Sequence, residues 1–299
     1  MDIQLRFDAP LTGAENMAID EELLERASEG SHIQIRLYRW CEPTLSLGHF
    51  QAIEDLARDP SVIASGRLEQ LAELPRVRRR TGGGAILHDR EWTYSVILPH
   101  PRSAGSPAGV PAGVGVEKGH HELLYRAIHC SVRDGLLQLG WDAALAEHCT
   151  CSTAGKLPVA TKDPFLCFQR RTPVDLVVGA HKVLGSAQRR SRTGLLQHGS
   201  LLLSASASFP SIVGLEDLVD GNFFSDADSR TPAAAREPLV FARGAGLIGD
   251  AERSDAEEGD PSAGRVRRWG ELLAGWVRTG IDEVVFDATH QRASEGKGN

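Results

Sequence analysis

The chain is poor in cysteine, with five in 299 residues. An odd count this small is unfit for a dense disulfide framework. Long apolar runs are missing too. None approaches the ~18 residues that a membrane-spanning helix needs, so no membrane partner is expected. The opening residues, "MDIQLRFDAPLTG", lack the apolar core of a secretory signal, which points to the cytoplasm. An excess of positive charge is also missing. Lys and Arg number 33 against 40 Asp and Glu, for a net charge of −7 and a pI near 5.9. That balance speaks against a general nucleic-acid binder. Neither a G-x-x-x-x-G-K-[ST] loop nor a G-x-G-x-x-G that opens a helix occurs. "HCTC" at 148–151 offers His148, Cys149 and Cys151, but no second ligand pair stands at zinc spacing, so no metal is expected.

What remains is the composition of a soluble globular protein: 41% hydrophobic, 24% charged, mean hydropathy −0.23. Met17, Ile19, Leu23 and Leu24 lie near one helical stripe in "GAENMAIDEELLERASEG", which Gly30 can stop. "IQIRLYRW" alternates with period two and reads as a strand, and "TLSLG" extends the sheet. Residues 53–73 read as partly helical. "RVRRRTGGGAILHDREWTYSVILPH" reads as strand, glycine turn, strand, turn, strand. Residues 99–116 are rich in Pro, Gly and Ala and read as a flexible loop. "EKGHHELLYRAIHCSVRDGLLQLG" reads as an amphipathic helix ending at Gly140. "VDLVVGAHKVLGSAQRR" and "GLLQHGSLLLS" read as antiparallel strands joined near Ser191–Gly194. Residues 225–264 are small, charged and low in aromatics, as in a mobile extension. A helix over 265–280 follows, with "DEVVFD" as a short strand or tail.

Three stretches carry chemistry. In "RRTGGGAILHD" (79–89), consecutive glycines let a ligand approach the main chain, and exposed amides can hold an oxygen. The same stretch also fits a plain hairpin with solvated arginines. "GAHKVLGSAQ" places Lys182 in an apolar strand, either as an edge lysine facing water or as a cation lining a cleft. "QHGSLLL" places His198 at a strand start, in a structural or a catalytic role. A cation within several ångströms of a thiol favours the thiolate. Cys41 and Cys130 lie in apolar patterns and suit packing. Cys167, in "DPFLCFQRR", suits either packing or nucleophilic chemistry.

Taken together, "RRTGGGAILHD", "HKVLGSAQRR" and "LQHGSLLL", preceded by "ENMAIDEELL" and "RLYRWCEPTLSLGHFQ", resemble the biotin/lipoate protein ligase superfamily over roughly residues 1–220. The resemblance implies an α+β fold, a mixed and mainly antiparallel β-sheet flanked by α-helices, with one acyl-binding cleft. Ligases of that superfamily make an acyl-adenylate from ATP and need no cysteine in the cleft. Octanoyltransferases of the LipM type use a cysteine thiolate, in a "CF" dipeptide ahead of the lysine strand, and no ATP. In the LipB type the cysteine follows the lysine. Cys167-Phe168 precedes Lys182 and no cysteine follows it, so the chain is similar to the LipM type. It departs from the family in His181, where arginine is usual, and in "QRRTP" after the "CF", where acidic residues are usual.

This resemblance implies Cys167 as nucleophile and Lys182 as its cation. Substrate contacts would come from Arg80, Gly82, Gly83, Gly84, His88, Gly185, Ser186, Ala187, His198 and Gly199, with main-chain amides near the glycine turn and His198-Gly199 holding the acyl carbonyl. The donor would be octanoyl-acyl carrier protein. The acceptor would be a lipoyl-domain protein or glycine cleavage H protein. No cofactor is expected. Residues 1–224 would form the catalytic domain, 225–264 an extension and 265–299 a terminal helix and tail. Arg76–Arg80 with Arg189, Arg190 and Arg192 would either dock an acidic carrier or form a solvated face. An ATP-dependent lipoate–protein ligase, an amidotransferase drawing on glycine cleavage H protein, and a non-catalytic acyl- or carrier-binding module are the alternatives.

Overall fold

The computed structural model describes residues 2–30, 32–100, 120–148, 164–219 and 261–295. In chain order the elements begin with β1 (Asp2–Phe7), α1 (Gly13–Glu25), β2 (His32–Tyr38) and β3 (Thr44–Leu47). Next come α2 (Pro60–Ser65), α3 (Leu68–Glu73), β4 (Arg76–Arg78), β5 (Ile86–His88), β6 (Glu91–Pro99) and α4 (His120–Gln138). Then follow β7 (Ala143–Leu145), β8 (Leu176–Val178), β9 (His181–Arg190), β10 (Gly194–Leu202) and α5 (Pro261–Glu295). Seven strands form the main sheet in the order β1-β2-β6-β10-β9-β8-β7, parallel only between β1 and β2. Strands β4-β3-β5 form a smaller sheet, with β3 and β4 parallel. The expected α+β architecture is present.

Period-two alternation explains how the sheet sorts its side chains. On one face Ile33, Ile35 and Leu37 of β2 and Trp92, Tyr94, Val96 and Leu98 of β6 are apolar or aromatic and buried. They meet Leu124, Ile128, Val132 and Leu136 of α4 and Trp269, Leu273, Val277 and Ile281 of α5. Each helix offers a stripe spaced by four residues, which winds slowly around the axis and suits a long shared contact. On the opposite face these strands bury Arg36, Tyr38, Thr93 and Ser95, beside His198 and Ser200 of β10. Polar groups are costly to bury unless bonded, so this second face marks where a site has been built.

Residues 282–287, expected as a strand or tail, continue α5. The four-residue stripe runs on from Ile281 to Val285, which packs against the same core, so helical periodicity overrides the β-branched composition. Residues 261–264, expected in the extension, form the first turn of α5. The remainder of the proposed extension, the Pro/Gly-rich loop beyond His100, and Cys149 and Cys151 lie outside the described residues.

The α4–α5 contact gives a direct stability prediction. A Cβ built at Gly280 would lie 2.7 Å from Ile128 Cα and 2.8 Å from Ile128 N. In a free helix Gly→Ala gains about 0.8–1 kcal/mol. Here the neighbour is backbone and cannot yield, so overpacking wins. Gly280→Ala is expected to destabilise by about 1–3 kcal/mol, read as a lowered denaturation midpoint. A raised midpoint would show that the two helices do not meet there.

Candidate active site

Cys167 opens a single 3-10 turn, Cys167–Gln169, on a loop tied to the glycine turn. Ala85 pairs with Leu166, the Ala85 amide donates to Phe165 O at 3.0 Å, and the Cys167 amide donates to Ala85 O at 2.7 Å. Asp59 secures the other side. It caps α2 by accepting from the Ser61 and Val62 amides, and also accepts from the Phe165 amide at 2.5 Å. Burial of Asp59 disfavours its charge, but these amides, Phe165 foremost, hold its carboxyl below the usual carboxylate range. Phe165 and Leu166 sink into a second apolar cluster with Leu45, Leu56 and Leu71. The nucleophile candidate therefore sits on a loop pinned at both backbone and side chain.

Lys182 lies on β9, an inner strand flanked by β10 and β8, so it is not an edge lysine facing water. It is 5% exposed. Its Nζ lies 3.6 Å from Cys167 Sγ, donates to Cys167 O at 3.3 Å and pairs with Asp175 Oδ2 at 2.9 Å. Gly185 leaves the room for this, since a Cβ there would stand 2.6 Å from Lys182 Cε. Cys167 itself is a free thiol of intermediate burial. An ammonium this close to sulfur stabilises negative charge on it.

The pair borders a pocket that opens to solvent. Met17, Trp40 and Ile86 supply apolar walls. Of the residues expected from the sequence, Gly82, Gly83, His88, Gly185, Ser186, Ala187, His198 and Gly199 line it together with Cys167. Gly83 has φ of +90°, which favours glycine and turns the loop toward the cleft.

Two expected residues are placed elsewhere. Gly84 faces Arg170 and Phe165 O. Arg80 is exposed and pairs with Glu21 of α1 at 3.0 Å. Its neighbour Arg79 is the arginine that enters the pocket wall, because successive residues of an extended chain point to opposite sides. Arg79 is 2% exposed and donates to Ser46 O, Ser46 Oγ, Gly82 O and Gly84 O at 2.5–3.2 Å. It thereby clamps the triple-glycine turn and drops out of the exposed arginine cluster. Burial brings its pKa down to about 10, while the neighbouring Cys167 favours its charge. The guanidinium is a second buried cation near the thiol.

The two pocket histidines are held by protein partners. His88 stacks on Trp40 with ring centroids 3.7 Å apart, bonds Ser46 Oγ at 2.6 Å through Nε2, and contacts the Glu91 carboxylate through Nδ1. Burial pulls its pKa below the ordinary value, against the pull of Glu91. His198 Nε2 meets Thr81 Oγ1 at 2.7 Å, and its Nδ1 lies 3.5 Å from Asp20. Asp20 also takes bonds from Arg36, Tyr38 and Ser95 at 2.7–3.0 Å. Burial works against its charge, but His198 and Arg36 prevail and hold its carboxyl low. Asn16 and Asp20 occupy the same helical stripe as Met17 and Leu24. Polar residues on the buried stripe of α1 were the available signal for this network.

Helix α4 contributes two residues absent from the sequence-based expectation. Tyr125 Oη donates to Ser186 O at 3.0 Å and accepts from the Ser186 amide at 3.1 Å. His129 bonds Val174 O through Nδ1 and Ser186 Oγ through Nε2, each at 2.7 Å. Burial lowers the His129 pKa to about 4. Between about pH 6.5 and about pH 4 the unfolded chain therefore takes up a proton that the folded ring refuses, so stability falls as pH falls through that window. Comparing denaturation midpoints at pH 7 and pH 5, His129→Gln should show a smaller loss than the parent. Equal losses would mean that His129 does not carry this dependence.

Among the described residues no group of three or more His, Cys, Asp and Glu could hold a metal ion. None of the described helices is long and apolar enough to cross a membrane.

Comparison with known proteins adds the family context. The model of the lipoyl protein ligase A/B catalytic domain matches residues 12–213. An octanoyltransferase LipM of Macrococcus caseolyticus is 38% identical over 194 residues, 63% of this chain and 61% of that protein. An octanoyltransferase LipM of Staphylococcus aureus is 36% identical over 190 residues, 62% of this chain and 60% of that protein. The match thus spans about three fifths of the length of these curated relatives. A solved structure of a candidate lipoate protein ligase from T. acidophilum superposes with a TM-score of 0.50 at 19% identity, covering 77% of this chain and 82% of that one.

Proposed function

Because the chain belongs to the lipoyl protein ligase A/B catalytic-domain family, we propose that it is an octanoyl-[acyl carrier protein]:protein N-octanoyltransferase working through a cysteine thioester. The observation that carries this is the Cys167–Lys182 pair at a pocket wall, with Sγ and Nζ 3.6 Å apart. The similarity to LipM octanoyltransferases supports it.

The mechanism has two displacements. The Cys167 thiolate attacks the carbonyl carbon of the octanoyl thioester. A C–S bond to Cys167 forms, the C–S bond to the carrier's thiol breaks, and the departing sulfur takes a proton. The neutral amine of an acceptor lysine then attacks the new thioester. A C–N bond forms, the C–S bond to Cys167 breaks, and the nitrogen gives up its extra proton. A thiol suits both steps, as a good nucleophile toward thioesters and a good leaving group afterward. Lys182 lies where it stabilises the thiolate. Charge developing on the carbonyl oxygen is met by Lys182 and by main-chain amides of the Gly82–Gly83 turn. Met17, Trp40 and Ile86 shelter the start of the alkyl chain. Exposed Arg76 and Arg78, and on the β9–β10 hairpin Arg189, Arg190 and Arg192, offer positive charge to an acidic carrier.

A transfer assay tests the reaction class. With octanoyl-acyl carrier protein and a lipoyl-domain acceptor, octanoyl amide should form without ATP. Product only with free octanoate and ATP would make the protein a ligase. Product only from octanoylated glycine cleavage H protein would make it an amidotransferase.

A further inference from the structure

We propose that Asp175 is a positioning residue for the Cys167–Lys182 pair: its buried carboxylate fixes the Lys182 ammonium beside the sulfur as a standing cation. The inference builds on the reading of Cys167 as the nucleophile.

Counting donors leads to this assignment. An ammonium has three hydrogens to donate and no acceptor capacity. Lys182 Nζ has three acceptors around it: Asp175 Oδ2 at 2.9 Å, Cys167 O at 3.3 Å and Cys167 Sγ at 3.6 Å. Were the lysine neutral, the buried Asp175 carboxylate at 2.9 Å would face it with no counter-charge. Side-chain exposure is 3% for Lys182 and 1% for Asp175, so the pair is out of bulk water. A buried ammonium with no counter-charge is strongly disfavoured. Asp175 supplies that charge from a rigid mount. Its amide closes a turn onto Thr172 O at 3.1 Å, and its Oδ2 also accepts from the Thr172 amide at 2.6 Å. Its Oδ1 faces Tyr125 Oη of α4 at 3.5 Å.

The other titratable groups facing this centre from the packed elements leave Asp175 without a substitute. From α4 come Tyr125, which burial keeps neutral, and His129, with a pKa near 4. From β6 comes Tyr94, raised to about 12 by burial. From the glycine turn comes Arg79, a cation. Among these groups Asp175 is the one carboxylate within reach of the ammonium. Tyr125 and His129 both hold Ser186, the next residue after Gly185, so α4 and the Asp175 turn together set where β9 carries the lysine.

The test reads the sulfur itself. Iodoacetamide alkylation of Cys167 is followed by peptide mapping across pH in the parent, Asp175→Asn, Asp175→Glu, Lys182→Met and the Asp175→Asn/Lys182→Met double variant, with a thermal midpoint for each. Asp175→Asn should slow alkylation at pH 7 about tenfold or more and move the profile alkaline, because the unpaired ammonium is lost or swings away. Asp175→Glu should recover part of the rate. On the Lys182→Met background, Asp175→Asn should add little, since its effect runs through the lysine. A folded Asp175→Asn protein with the parent's rate and profile would overturn the proposal. So would an equal slowing with and without Lys182. Because no acyl donor is used, failure of octanoyl transfer leaves this result interpretable.

Discussion

Cys167→Ala is expected to reduce octanoyl transfer by about 10⁴-fold or more while leaving the fold intact. The two halves of that statement have separate grounds. The loss of activity follows from chemistry. Without the sulfur there is no acyl-enzyme, and a lysine amine must meet the carrier thioester directly, with no covalent intermediate to split the barrier. The survival of the fold follows from the way the loop is held. The Cys167 backbone carries the bond to Ala85 O, and Asp59 and Gln51 fasten Phe165 two residues earlier. The side chain packs at the border of a small cluster with Ile86, Phe168 and Leu202. Removing one half-buried sulfur there should cost about 1 kcal/mol. Transfer kinetics and a denaturation curve on the same preparation check both halves. ATP-dependent labelling of the acceptor that survives Cys167→Ala would point to a ligase.

The second large effect is expected at Lys182. Lys182→Met should lower transfer by about 10²–10³-fold, the scale seen when one preorganised donor is taken from a developing charge. It should also destabilise the protein by about 3–5 kcal/mol, because Asp175 is left as a buried carboxylate without its partner. These two consequences can be separated. Adding Asp175→Asn to Lys182→Met removes the stranded charge and should restore much of the stability, but not the activity. If the double variant regained transfer along with stability, the lysine would be a structural residue and its proximity to sulfur incidental.

Much of this site was legible through the family resemblance that a few contiguous stretches carry. The glycine turn, the β9–β10 hairpin and the order of Cys167 before Lys182 are contiguous features, and eight of the ten expected substrate contacts meet at one pocket. The α+β class came as what the resemblance implies. Less legible were the residues whose roles depend on pairing between distant segments. Asp175 sits seven residues before Lys182 but gains its meaning only when β8 and β9 pair with a shifted register near Leu176 and Val177. Asp20 looks like a solvated charge in an acidic helix until Arg36, on the neighbouring strand, comes beneath it. Arg79 and Arg80 differ only in parity, and the choice between them waits on which way the turn faces. Tyr125 and His129 were read as part of an amphipathic helix, where a hydrophobic stripe hides the polar contacts at its border. The terminal helix ran past its expected end because packing against α4, invisible locally, overrides strand propensity in "DEVVFD".

The most direct measurement of the central claim is an intact mass of the protein after incubation with octanoyl-acyl carrier protein without ATP, followed by a chase with a lipoyl-domain acceptor. One octanoyl group per chain should appear, map to the Cys167 peptide, and move to a lysine of the acceptor during the chase. No adduct, an adduct on another residue, or an adduct on Cys167 that the acceptor leaves in place would contradict a thioester route through Cys167.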